Sequence, residues 1–499
     1  MTVRSTETPP GGATPAAEVP ARDTDKLSRE HLGVIALLMV SAFIVILNET
    51  TMGVALPSVM SEFGIEPSAG QWLTTAFLLT MAVVIPTTGW LLQRVGTRTA
   101  FILGMSLFSL GTLLAGLAPV FGLLVAARVV QASGTAVMLP LLMTTVMTIV
   151  PPHHRGRVMG NVSLVIAVAP ALGPTMSGAV VNALGWREVF WVVLPIALVG
   201  LTLGLFLVRD VAERARKNLD GLSVVLSAFA FGGLVYGLSS LGEAARHTPP
   251  VSPVLPIVGG LVFLALFVRR QLRLQRTDDA LLDLRVFRAP GFPAGLSVLV
   301  VAMIAMFGMI IGLPLVLQEA IGLAPLASGL VMLPGGLMMG LLGPVVGRLY
   351  DRVGPRPLVL PGVSAVAVAM VLFATLSPSS PVWWVMVGHI VLSLGLACVF
   401  TPTLTSALGG LAPRLYSHGS ATITTLQQLA GAAGTALFVA LLTLRSVALL
   451  DDGATEAAAT AGGARLAFGV AAGVMIGAVL LATRLRKADD VRQETPAAH

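Results

Sequence analysis

Apolar runs of about twenty residues, separated by short polar loops, recur fourteen times along the chain. A helix needs about 20 mostly apolar residues to cross a bilayer. The first six runs lie at roughly 33–56, 71–92, 100–118, 121–144, 158–181 and 188–208. Two more lie at roughly 221–241 and 252–269, their junction crowded by prolines between Pro249 and Pro256. The last six lie at roughly 293–317, 327–348, 357–376, 383–405, 419–443 and 464–484. The pattern predicts an all-α polytopic membrane protein. Residues 1–30 are rich in Pro, Thr, Ala and Gly and lack the apolar centre of a cleavable signal, so they read as a disordered cytoplasmic tail. Residues 486–499 read as a second tail.

Charge gives the chain sides. Of 31 Lys and Arg, 26 fall in the two tails and in alternate loops. Only Arg187, Arg246, Arg445 and Arg465 fall on the opposite side, and Arg128 is left within a helix. The positive-inside rule then puts both termini in the cytoplasm and the chain in the cell inner membrane, as a multi-pass protein. Composition agrees: 55% of residues are hydrophobic and 11% charged, against about 25% charged in soluble domains. The net charge of +7 does not point to nucleic acid, because the basic residues sit in short loops between spans. The 53 glycines suit close helix packing in lipid. The single Cys398 excludes an intramolecular disulfide and reads as a packing residue.

One loop pattern occurs twice. GWLLQRVGTRT (Gly89–Thr99) follows helix two, and GRLYDRVGPRP (Gly347–Pro357) follows helix ten. A plain duplication of six helices would place the copies six helices apart; they are eight apart. Two helices, seven and eight, are therefore inserted between the halves. The expected division is a six-helix bundle over 31–210, an inserted pair with cytoplasmic linkers over 211–290, and a second six-helix bundle over 291–485. The flanking segments Arg209–Asp220 and Arg269–Arg288 read as solvated linkers, with contact to anionic lipid as the alternative. The loops read as cytoplasmic gates, carried by Gly89, Gln93, Arg94, Gly96 and Arg98, and by Gly347, Asp351, Arg352, Gly354 and Arg356. Asp351 can hold Arg352, Arg356 or a neighbouring helix N-terminus; Gln93 lacks that charge.

Further motifs make a resemblance specific. Helix one ends LNETTMGVALP (Leu47–Pro57), helix four holds RVVQASGTA (Arg128–Ala136), and helix five holds APALGPTMSG (Ala169–Gly178). WREVFWVVLP (Trp186–Pro195) and LPLVLQEAIGLAPLASGLVMLPGG (Leu313–Gly336) follow. In order and sidedness they resemble the major facilitator superfamily, in its fourteen-helix drug:proton antiporter branch, over roughly residues 30 to 485. The resemblance implies two six-helix bundles plus two helices, and proton-coupled export of amphiphilic drugs or antibiotics by alternating access. The sequence departs from the family pattern at four places. Asn48 stands where the first-helix acid is expected, with Glu49 one place on; Gln93 replaces the loop acid, and Ala132 and Ser177 replace motif glycines.

Candidate chemistry centres on Glu49 and Arg128, the mid-helix charges of opposite sign, with Asn48 beside them. Buried ionisable groups in membranes are expensive and usually functional. At 1.5 Å per residue both lie roughly 12 Å below the external surface. A carboxyl whose distance from Arg128 and from water changes between outward and inward states would bind and release a proton; a static ion pair that fixes packing is the alternative. Pro170, Gly173, Pro174 and Gly178 form the antiporter gate motif, a bendable and closely packed half-helix, or else a purely structural kink. The superfamily plan implies a substrate cavity lined by Met39, Phe43, Met138, Met303, Phe307, Met386 and His389, with Gln131 and Gln427 as polar contacts. His389 reads as a satisfied or cavity-lining histidine, with proton relay as the alternative. Glu319 and Gln318 read as interfacial, and the adjacent His153 and His154 make no metal site. No phosphate loop or nucleophile triad appears, so no enzyme, metal or cofactor is expected, and the proton gradient is the expected drive. Expected partners are small amphiphilic compounds, protons and membrane lipids, with no nucleic acid. Export of an endogenous metabolite, lipid or siderophore is an alternative, as is a receptor or scaffold with a transporter-like shell.

Overall fold

The computed structural model describes residues 29–65, 67–70, 72–210, 219–244 and 252–485. The two expected tails, except for the last residues of the first, part of the first linker and the connection between helices seven and eight lie outside the described residues. Among the described residues, thirteen helical stretches are long and apolar enough to span a bilayer. One of them, Trp72–Gly116, is 45 residues long and contains Gly96 at φ 81°, ψ 171°, which is not helical. It is therefore two helices meeting at a glycine turn, and the total is fourteen. Gly354, the matching glycine of the second loop, sits at φ 79°, ψ −174°. Side chains are excluded from that region. The repeated sequence thus encodes a repeated turn.

In chain order, helix one is Arg29–Phe63; helices two and three share Trp72–Gly116; helices four, five and six are Phe121–Ile149, Arg155–Ala183 and Arg187–Leu207. Helix seven is Gly221–Leu241 and helix eight Val254–Leu274. Helix nine is Phe292–Ala320, closing with a π turn over Val316–Ala320. Helices ten to fourteen are Pro325–Val353, Arg356–Phe373, Val382–Gly409, Tyr416–Asp451 and Glu456–Ala482. Several, such as helix one, run past the apolar window at both ends, because a helix continues beyond the hydrocarbon boundary as long as its backbone stays paired.

Lipid gives helices no hydrophobic reason to associate, so small residues and close contact must hold them. A Cβ at Gly134 would overlap the backbone of Gly104, bringing helices three and four together. Helices eleven and twelve meet at Gly362 and Gly395, and helices nine and thirteen at Ile304 and Gly434.

Helices seven and eight pack on each other through Gly233, Gly237 and Gly260. They lie along one side of the molecule and touch both halves. Tyr236 stacks on Trp72 of helix two at 6.4 Å, and Phe231 and Phe267 share an apolar cluster with Ala421 of helix thirteen. At the base of the pair, Arg270 donates to both oxygens of Asp220, at 2.6 and 2.7 Å. Those bonds pull the Asp220 carboxyl down to about 2. The sign follows: its contribution to stability is complete above the ordinary 3.8 and is lost only as pH falls towards the folded value. The anchor is charged throughout the physiological range. Buried Gln271 accepts from Leu281 and Leu282 and donates to Ser223, so the returning linker is knitted to the same base.

Candidate functional site

Arg128 is 1% exposed, the largest of the fully buried side chains. Helix four puts Gln131 one turn further along the same face, and Arg128 Nη1 donates to Gln131 Oε1 at 2.6 Å. The same nitrogen donates to Asn48 Oδ1 of helix one at 3.3 Å. Gln131 passes the network on to Thr112 of helix three at 2.8 Å. The guanidinium lies 4.1 Å from the ring centre of Phe77 on helix two, a favourable cation–π geometry. Four helices thus converge on one cation. A side chain at Gly111 would overlap the backbone of Gln131, so a glycine is required there to let helix three approach.

A direct Glu49–Arg128 ion pair, the alternative the sequence leaves open, is not what holds the arginine. Its bonds go to Asn48 and Gln131. One residue turns a helix by about 100°, so Asn48 is fully buried against helix four while Glu49 is turned aside and half-buried. Glu49 feels the charge of Arg128 through space but makes no ion pair with it among the described residues. The cation is therefore solvated by neutral acceptors and a ring, and the neighbouring carboxyl is not locked to it.

Helix five grips the segment of helix one that carries these residues. A Cβ at Gly173 would overlap Thr50 Oγ1 and meet Leu47 O at 2.9 Å. Ser177, standing where the family motif has glycine, donates to Thr51 O at 2.9 Å. Gly178 packs less closely, with Val54 at 3.8 Å from a Cβ built on it. Pro170 and Pro174 are helical positions; the side chain of Pro174 lies outside the described residues. Gly173→Leu is expected to abolish exchange while the protein still inserts, because the side chain must push helix one away from helix five. Substrate efflux from cells and the yield of folded protein check this together.

The basic loops close one end of the molecule. Asp351 accepts from the backbone N–H groups of Gly156 and Arg157, both at 2.8 Å, at the start of helix five. Of the three partners the sequence allows it, the carboxylate takes the neighbouring helix N-terminus, across the two halves. Arg352 and Arg356 are exposed, as is Arg94. Gln93 is the counterpart in the first loop: its Nε2 donates to Arg414 O at 2.8 Å and Ser417 Oγ at 3.0 Å, at the start of helix thirteen. Arg98 stays within its own half, donating to Leu205 O and, through its backbone, to Asp210. Gly89 lies against His418.

Between these latches the helices touch backbone to backbone. Gly347 meets Gly156, and Gly343 meets Gly160. Each pair of glycines is four residues apart in its own helix, a G-x-x-x-G spacing that allows close approach and that went unnoticed in the sequence. Thr144–Ser420 at 3.2 Å and Thr401–Ser163 at 2.7 Å add cross-links. These hydrogen bonds between the halves lie at the basic end. Further along, helices five and ten turn to their own bundles: Gly173 packs on helix one, Gly335 on His389 of helix twelve. At the basic end the two halves are sealed against each other.

Asp351→Asn is expected to impair cycling more than Gln93→Ala. A charge-assisted bond contributes about 1.5–3 kcal/mol and a neutral one about 1; an Asn amide can accept from one of the two N–H groups but presents a donor to the other. Side-by-side initial rates of transport, at matched expression, decide it; equal losses would refute the stronger second latch.

The residues expected to line a cavity divide into two sets. Met39, Phe43, Phe307, Met386 and Gln427 are half-buried. Met138 is fully buried, with its sulfur against Gly104, and Met303 is 7% exposed; both are packing residues, because they face neighbouring helices at glycine contacts or in the core. Gln131 belongs to the arginine network. His389 is 5% exposed, hydrogen bonded to the Met332 backbone, and pressed on Gly335. It braces the Pro334–Gly336 segment of helix ten rather than facing a cavity. The sequence reading also missed a clasp at the far end: Glu62 accepts from Trp186 Nε1 at 2.7 Å and from Arg187, whose guanidinium lies 4.3 Å from the Trp186 ring. An acid near the end of helix one, with a Trp-Arg pair at the start of helix six, was the available signal.

Comparison with known proteins agrees with this architecture. The family model described as Major Facilitator Superfamily matches residues 38–435. The Lincomycin resistance protein LmrB of Listeria monocytogenes is 38% identical over 418 residues, covering 84% of this chain and 88% of that one. The LmrB of Bacillus subtilis is 37% identical, covering 84% and 87%. A Multidrug resistance protein B homolog of Mycobacterium tuberculosis is 32% identical, covering 82% and 75%. Among solved structures, the human organic anion transporter MFSD10 (TETRAN) superposes with TM-score 0.66 at 17% identity, over 91% of this chain and 99% of that one. The proton:xylose symporter XylE superposes with TM-score 0.62 at 14% identity, over 91% and 95%. At such identities the two structures speak for the fold alone. With fourteen helices, a repeated glycine-turned loop and a family match over most of its length, the chain belongs to the major facilitator superfamily.

Proposed function

We propose that this chain is a proton-coupled antiporter that exports small amphiphilic drugs or antibiotics across the cytoplasmic membrane by alternating access, with both termini in the cytoplasm. The observation that carries the reading is the buried Arg128, held by neutral acceptors, with the unlocked carboxyl of Glu49 on the adjoining turn of helix one. A proton on Glu49 removes the through-space attraction to Arg128; its loss restores it. That difference biases the grip of helix five on helix one, and so the two halves, which are the bodies that rock. The halves are residues 31–210 and 291–485, and 211–290 forms the inserted pair. With the basic end in the cytoplasm, the sealed basic end described above is an outward-facing arrangement. Glu49 and the half-buried Met39, Phe43, Phe307, Met386 and Gln427 offer an acidic, deformable lining that suits amphiphilic compounds. Relatives named for lincomycin and multidrug resistance support antibiotics as the substrate class. Everted membrane vesicles energised by respiration test this: adding lincomycin or an amphiphilic cation should release protons from the lumen, read by a pH dye. Silence across both classes, with folded protein present, would remove drug:proton exchange.

A further inference from the structure

The arginines at the base of the inserted pair are not equivalent. Arg270 is spent on Asp220, and Arg285 on Asp283 and Asp278. Arg269, Arg273 and Arg276 are exposed and have no acidic partner among the described residues. Their spacing is that of one helix face. The same face can be followed back along helix eight: Leu255, Val258, Val262 and Leu266 are 68%, 52%, 54% and 44% exposed. The positions 255, 258, 262, 266, 269, 273 and 276 recur at the helical period, with Arg276 in the turn just past the helix end at Leu274. The opposite face is packed away: Gly260, Phe267 and Gln271 are buried.

An apolar stripe open to lipid therefore runs, without changing face, into three guanidiniums. Helix eight has 21 residues, about 31 Å at 1.5 Å each, long enough to carry its apolar stripe across most of the hydrocarbon and its last turns towards the headgroups. The arginines fall at the headgroup boundary, on the end that the charge asymmetry assigns to the cytoplasm. Of the two exposed acids just beyond them, Asp278 pairs with Arg285 and Asp279 is a single charge against three, which leaves the patch positive. Arg carries planar, multiple donors suited to phosphate oxygens. We propose that Arg269, Arg273 and Arg276 form a binding site for the headgroup of an anionic phospholipid of the cytoplasmic leaflet, its acyl chains lying along Leu266, Val262 and Val258. The bound lipid would fix the base of the inserted pair to the leaflet while the bundles beside it rock.

The full chain, purified in mild detergent, is offered phosphatidylglycerol and phosphatidylcholine of matched acyl chains, and the retained lipid is counted by native mass spectrometry. The wild type should prefer phosphatidylglycerol by on the order of tenfold or more, given the pull of each surface arginine on anionic lipid. Raising salt should erase most of that preference. Arg269→Gln, Arg273→Gln and Arg276→Gln together should lower it by about tenfold, while the corresponding three Lys substitutions should keep most of it. The proposal is overturned if the wild type shows no headgroup preference or one indifferent to salt, which needs no variant to fold. It is equally overturned if the triple Gln protein keeps the preference, or if inorganic phosphate at the same concentration displaces the lipid.

Discussion

Glu49→Gln is expected to abolish uphill export while leaving substrate exchange intact. The amide has nearly the same shape and keeps hydrogen-bonding capacity, so the packing of helix one against helix five at Gly173 and Ser177 should survive. What it lacks is a titrating proton. A drive of about 2.3 kcal/mol per charge per 100 mV can sustain roughly a 50-fold concentration ratio; in the variant that ratio should collapse to about one. Substrate counterflow, which needs binding and alternation but no net proton transfer, should persist. The pairing of results separates a proton carrier from a residue that merely packs, since a packing defect would lower both. Full gradient-driven accumulation by Glu49→Gln would sink the assignment.

Gly347→Leu should produce the second large effect, by an unrelated route. The Gly347 backbone lies on Gly156 so closely that even a Cβ would overlap its carbonyl, and Gly343 and Gly160 repeat the contact one turn away. Helix backbones cannot yield locally to a leucine, so the basic end must stay parted. Overpacking of this kind costs about 1–3 kcal/mol or more, and transport should fall by about tenfold at least. A thiol reagent supplied from the basic side gives the structural readout. A cysteine at Ser163, which bonds Thr401 across the halves, should be protected in the parent, with Cys398 replaced by serine, and labelled in Gly347→Leu. Unchanged labelling with lost transport would mean that the glycines serve something other than closure.

Much of the fold was legible because lipid simplifies the code. Apolar length marks each span, arginine marks a side, and the two copies of the loop reveal both the duplication and the inserted pair. Even the turn at Gly96 and Gly354 was implied by the repeated glycine. The site was legible in its membership but not in its bonds. Asn48 and Glu49 are adjacent in sequence, and which of them meets Arg128 depends on a rotation of helix one that hydropathy does not encode. The partner of Asp351 lies nearly two hundred positions away, at Gly156 and Arg157, where pairing depends on how the halves dock. Met138, Met303 and His389 were assigned to a cavity by helix number; their burial depends on which face each helix presents, and small moments in all-apolar helices leave that face unmarked. The G-x-x-x-G contacts were written in the sequence, but among 53 glycines only the structure shows which ones oppose each other.

Proton coupling is the centre of the proposed mechanism, and flux in proteoliposomes under an imposed pH gradient tests it most directly. With the purified protein and a transported drug, outward substrate movement should accelerate when the opposing compartment is made acidic, and adding substrate should drive a proton signal of opposite direction. Substrate flux indifferent to the gradient, with no proton movement on adding substrate, would contradict it.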